Sequence, residues 1–81
     1  MLYYTFRSIT RAQLAQRALR EAGVSAALLR TPKALAAEGC GYALRLPRAE
    51  ETAADRAFRD APPYQRKFLE QNGRYLEVRD D

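Results

Sequence analysis

The sequence predicts an α+β fold, because apolar residues alternate every second position in some stretches and recur at helical spacing in others. These stretches follow one another along 81 residues without an internal repeat or a low-complexity linker. That length fills one hydrophobic core and leaves nothing for a second, so residues 1–81 read as a single domain.

Leu2, Tyr4 and Phe6 alternate with Tyr3 and Thr5, the pattern of a half-buried first strand. Ser8 or Thr10 can cap the helix that follows, and Thr10 and Gln13 have capping-box spacing. In that helix Ala12, Ala15, Ala18, Leu19 and Ala22 form one stripe, opposite Gln13, Gln16, Arg17, Arg20 and Glu21. Gly23 stands where a left-handed terminator is wanted, and Val24 to Arg30 reads as a second strand. Thr31-Pro32 has the form of a cap followed by proline at the first helical position, which predicts a short helix from Lys33 to Glu38, ended by Gly39. Tyr42, Leu44 and Leu46 alternate with Ala43 and Arg45 in a third strand that Pro47 closes. Glu50 and Glu51 suit the first turn of a second long helix from about Arg48 to Asp60, with Ala54, Phe58 and Ala61 on one face.

Pro62-Pro63 forces an extended break, after which Tyr64 to Glu70 and Arg74 to Arg79 flank Asn72-Gly73, a two-residue hairpin signal. The rival is a helix from Tyr64 to Gln71, which the propensities of Arg66, Lys67, Leu69, Glu70 and Gln71 support. With the hairpin, the element order fits a ferredoxin-like βαββαβ sandwich with an added C-terminal hairpin strand. Right-handed crossovers then bring the connection between the second and third strands, with Cys40 in it, near Arg7 and Ser8.

The chain has no histidine and a single cysteine, so it can build no Ser-His or Cys-His pair, no histidine metal site and no internal disulfide. No cofactor is implied. The N-terminus lacks the basic head, apolar run and cleavage site of a signal peptide, and no stretch approaches the roughly 18 continuous apolar residues of a membrane span. A cytoplasmic, reducing location without membrane attachment is expected, with Cys40 as a free thiol. The net charge of +4 comes from arginines spread along the chain, which argues for a solvated surface over a nucleic-acid footprint.

Gly39-Cys40-Gly41 holds the thiol between residues without side chains, which leaves the sulfur approachable. An isolated cysteine also serves as a small buried hydrophobe, but such a residue in a strand is more often flanked by apolar neighbours than by two glycines. A helix N-terminus together with Arg7, Arg30 or Lys33 would favour the thiolate, and Glu38 would oppose it. Tyr64, Phe68 and Tyr75 read as core, and Glu50, Glu51 and Asp55 as surface charges of a helix with no paired acid and base among them.

Tyr4-Thr5-Phe6 followed by Ser8, then Glu21-Ala22-Gly23, then Thr31-Pro32-Lys33-x-Leu35 leading to Cys40-Gly41-x-Ala43-Leu44-Arg45, resembles the small Se/S carrier-like proteins, DUF3343. The resemblance implies a carrier that holds a persulfide or selenide on Cys40 and passes it to an acceptor protein. Donor and acceptor proteins would be its partners, Arg7, Ser8, Arg30, Lys33, Gly39, Gly41 and Arg45 the residues around the cysteine, and autonomous catalysis is not required. Where that family often has serines before the cysteine, this chain has Ala36, Ala37 and Glu38. The competing readings are a regulatory or ligand-binding module acting through the sheet or a homodimer along an edge strand such as Val24 to Arg30, and a structural interaction partner.

Overall fold

A computed structural model describes residues 1–36 and 41–79 and arranges five strands in one antiparallel sheet. The strands β1 (Leu2–Phe6), β2 (Ala27–Arg30), β3 (Tyr42–Leu46), β4 (Arg66–Gln71) and β5 (Arg74–Val78) lie in the order β2-β3-β1-β4-β5. Two α-helices, α1 (Ile9–Glu21) and α2 (Glu51–Ala57), pack on one face. Among the described residues no helix is long and apolar enough to cross a membrane.

The helix-covered core joins Leu2, Tyr4 and Phe6 of β1 and Leu44 and Leu46 of β3 to Ala12, Ala15 and Leu19 of α1 and Ala54 of α2. Alanines at the contact let the helices lie close on the sheet, and each fully buried leucine contributes roughly 1.5–3 kcal/mol. The other face is also closed. Tyr3, Ala43 and Phe68 pack there with Leu35, which a 3-10 turn at Lys33–Leu35 lowers onto the sheet. β1 is therefore buried along its whole length and not half-buried, because it is the central strand and both faces carry apolar cover.

Helix α1 is capped by Ser8 and not by Thr10: the Ser8 Oγ accepts the Arg11 N–H at 3.3 Å. Its end is a Schellman arrangement in which the Gly23 N–H donates to Arg20 at 3.0 Å and the Val24 N–H to Leu19 at 2.8 Å, with Gly23 at φ 85°. Val24 is consumed by that stop, so β2 begins at Ala27. Ala22 is the exposed C-cap and not a member of the buried stripe. The α-helical part of the second helix spans only Glu51–Ala57, with 3-10 turns at Arg48–Glu50 and Phe58–Asp60.

Between β4 and β5, Asn72 has φ 53° and Gly73 φ 79°, the paired positive values that a two-residue hairpin turn requires. The hairpin thus forms, with β4 starting at Arg66, two residues later than the pattern suggested. Nothing lies within 4 Å of a Cβ built on Gly73, so only backbone strain opposes a side chain there. Gly73→Ala is expected to cost about 1–2 kcal/mol, read as a lower urea midpoint with an unchanged denaturant slope.

Candidate functional site

The end of β1, the start of β3 and the N-terminus of α1 meet at one edge of the core. Phe6 is registered against Tyr42, and Tyr42 against Arg30, so the first residue of β3 lies beside the last residues of β1 and β2. One step further out, the Thr31 N–H donates to the Gly41 carbonyl at 3.1 Å. On the other side of Gly41, the nearest neighbour of a built Cβ is the Arg7 carbonyl oxygen at 4.0 Å, an ordinary contact. Among the described residues, space therefore does not demand glycine at this position. The Thr31 Oγ is buried and has no hydrogen-bond partner among the described residues.

Ser8, at φ −118° and ψ 135°, turns the chain from strand to helix and aims the first N–H groups of α1 at this end of the sheet. Phe6, Arg7, Ser8, Arg11, Pro63, Tyr64 and Gln65 line an open cleft of about 310 Å³. Among the described residues Arg7 and Arg11, both exposed, form no ion pair, and no carboxylate lines the cleft. The Arg30 guanidinium sits 5.3 Å above the Tyr42 ring, and Lys33 is exposed on the 3-10 turn that follows. A positive, solvent-open end of the sheet results.

Of the residues expected around the thiol, the structure gathers Arg7, Ser8, Arg30 and Gly41 at this end, with Lys33 three residues beyond Arg30. Gly39 and Cys40, like Glu38, lie outside the described residues. Arg45 stands apart: it is exposed, is registered against Tyr3 and Ala27, and lies three residues along β3 from Tyr42, roughly 10 Å away. Sequence reasoning missed Arg11, although its place three residues after the cap Ser8 puts it over the same turn.

A second polar cluster lies inside the fold. Lys67 on β4 has a side chain only 4% exposed, and its ammonium meets Glu51 at 2.7 Å and Asp55 at 2.9 Å. Asp55 also accepts the Tyr4 hydroxyl at 3.0 Å, and the ammonium lies 5.5 Å from the centre of the Tyr4 ring. Glu51 and Asp55 are thus the counter-ions of a buried lysine and not merely surface charges. Burial alone would lower the Lys67 pKa, yet the two carboxylates outweigh it and the value is raised. Burial, followed by the Asp55 hydrogen bond, pushes the Tyr4 phenol well above the usual tyrosine range. Both groups stay protonated at neutral pH, which makes this cluster a tie between β4 and α2 and unsuited to nucleophilic work.

The family model described as Putative Se/S carrier protein-like matches residues 1–70. The match takes in the positive sheet end and Cys40 and stops before the Asn72-Gly73 turn and β5. No curated protein and no solved structure matches the chain significantly.

Proposed function

The chain belongs to the Se/S carrier protein-like family, and on that premise we propose that it carries sulfur or selenium on Cys40 and delivers it to an acceptor protein. The observation that supports this reading is the sheet end where Arg7, Ser8, Arg11 and Arg30 gather around Gly41, one peptide bond from Cys40, with no carboxylate among the described residues lining its cleft. We read the fold as a ferredoxin-like βαββαβ sandwich extended by β5, a reading that the strand order β2-β3-β1-β4-β5 supports.

In the loading step the Cys40 thiolate attacks the outer sulfur or selenium of a donor persulfide or perselenide. A bond from Cys40 to that atom forms, the bond to the donor sulfur breaks, and the donor leaves as a thiolate. Delivery repeats the exchange, with the acceptor thiolate as nucleophile and Cys40 as the leaving group. Both the attacking and the leaving forms of Cys40 are anions, so Arg7, the dipole of α1 and the nearby Arg30 and Lys33 assist each direction. The Thr31 hydroxyl, without a partner among the described residues, is a donor that an anionic sulfur would satisfy. Arg45 has no part in this step. A cytoplasmic setting, where donor and acceptor thiols remain reduced, suits the cycle.

Intact mass after incubation with a persulfide-generating system tests the reading: the natural chain is expected to gain the mass of one sulfur, and Cys40→Ser to gain nothing. Arg7→Ala is expected to slow alkylation of Cys40 by iodoacetamide near neutral pH roughly two- to fivefold, the scale of one exposed charge or helix-terminus effect of about 0.3–1 kcal/mol. A Cys40 that takes up no sulfur, and whose alkylation rate Arg7→Ala leaves unchanged, would defeat the carrier reading.

A further inference from the structure

Among the described residues no strand or helix covers the outer edge of the sheet at β5, and the geometry points to it as a surface on which a second copy of this chain pairs antiparallel through a two-fold axis at Leu76. In a two-residue hairpin the residues flanking the turn share backbone hydrogen bonds. Gln71 and Arg74 are that pair here, so Arg74, Leu76 and Val78 direct their backbone groups at β4, whereas Tyr75 and Glu77 direct theirs outward. Leu76 is 59% exposed, an apolar side chain in the middle of the outermost strand. Lysine, proline or a bulge would ordinarily blunt such an edge, and β5 has none of them; of its two charges, Glu77 is already paired with Arg66 and Arg79, and Arg74 sits beside the turn.

The outward groups decide the register. With the axis at Leu76, Tyr75 of one copy exchanges backbone hydrogen bonds with Glu77 of the other, and every residue of β5 is paired. Leu76 meets Leu76 at a closely spaced position, and Arg74 meets Val78. An axis at Glu77 would set two carboxylates opposite each other, and an axis at Tyr75 would run the pairing into the Gly73 turn. The opposite edge of the sheet offers less, because the Gln16 amide already takes the Ala26 carbonyl at 2.9 Å just before β2. β5 also lies beyond residues 1–70, so this surface does not rest on the carrier reading or on Cys40.

Sedimentation of the full chain under reductant, from about 10 μM to about 1 mM, is expected to show a reversible monomer–dimer equilibrium of the strength a small interface provides. Leu76→Lys is expected to remain monomeric throughout that range with its thermal midpoint preserved, since Leu76 supports little of the core. In a Cys40→Ser background, Leu76→Cys is expected to oxidise to a covalent dimer, because closely spaced partners have Cα atoms about 4.5 Å apart, within disulfide reach. Arg74→Cys in the same background is expected not to cross-link, its Cα atoms being separated by about 13 Å. A chain that sediments only as monomer, a Leu76→Lys variant that dimerises like its parent, or equal cross-linking at both positions would each overturn the proposal.

Discussion

Glu51→Ala combined with Asp55→Ala is expected to lower stability by about 3–5 kcal/mol, the cost of stranding a buried charge. The Lys67 side chain is 4% exposed, whereas those of Glu51 and Asp55 are 36% and 43% exposed. That asymmetry sets the outcome. Without its carboxylates the ammonium has neither water nor a counter-ion, and the cation–π contact with Tyr4 at 5.5 Å is too weak to replace them. Lys67→Met leaves two carboxylates that can hydrate and fills the site with an apolar chain of similar length, so its expected cost is about 1 kcal/mol or less. The triple variant, Lys67→Met added to the double, should recover most of the loss, because the penalty belongs to the unpaired charge. For a domain of this size the double variant's thermal midpoint should fall by more than about 12 °C. A double variant within about 1 kcal/mol of the parent would show that water reaches the Lys67 ammonium in the folded chain.

The same cluster sets the response to alkali. Lys67 and Tyr4 both have folded-state pKa values above their ordinary ones, so the folded chain holds these protons more tightly than the unfolded chain. Their stabilisation is fully present below the ordinary values near pH 10 and is lost as pH rises through the folded-state values. Stability set by these two groups should therefore stay level from neutrality to about pH 10 and then fall, with a shallower fall in Lys67→Met.

Local chemistry was legible in the sequence, and long-range pairing was not. Asn72-Gly73 carries its turn type in its residue types, and alternation from Leu2 to Phe6 and from Tyr42 to Leu46 identifies strands whatever lies beside them. Val24 misled because a β-branched residue before a strand looks like part of it. Its N–H is instead spent on the Leu19 carbonyl, which is visible only once the helix end is built. Lys67 entered the sequence reading only as a helix-former, because its partners lie 12 and 16 residues earlier on another element. The half-buried pattern of β1 did not show what covers Tyr3, because that cover comes from Leu35 in a connection and from Phe68 and Tyr75 in strands distant in sequence. At the positive sheet end, topology put the connection holding Cys40 near Arg7 and Ser8; Cys40 lies outside the described residues, but its neighbour Gly41 stands beside Arg7, and the cleft with Arg11 and Gln65 depends on how Pro63 and Tyr64 return to β1.

Tyr4→Ala is the second change expected to be severe, at about 3–5 kcal/mol, because Tyr4 is fully buried in the central strand. Its ring lies 4.7 Å from that of Phe58 and 4.9 Å from that of Tyr64, and those two rings are themselves 5.1 Å apart. Truncation removes one corner of this triangle and opens a cavity between β1 and the end of the second helix, where Phe58, Tyr64 and Lys67 sit on three separate segments and cannot all close in. Tyr4→Phe keeps the ring and loses only the hydroxyl bonded to Asp55 at 3.0 Å. Because Asp55 keeps its bond to Lys67 and is partly hydrated, that variant should lose about 1 kcal/mol. The difference of about 2–4 kcal/mol between the two variants is then the packing contribution of the ring alone. Urea unfolding monitored by circular dichroism measures it, and a Tyr4→Ala variant unfolded at 25 °C without denaturant would agree with the upper end of the range. If Tyr4→Ala instead falls within about 1 kcal/mol of Tyr4→Phe, the trio can collapse around the missing ring and the core at this end of β1 is looser than the packing implies.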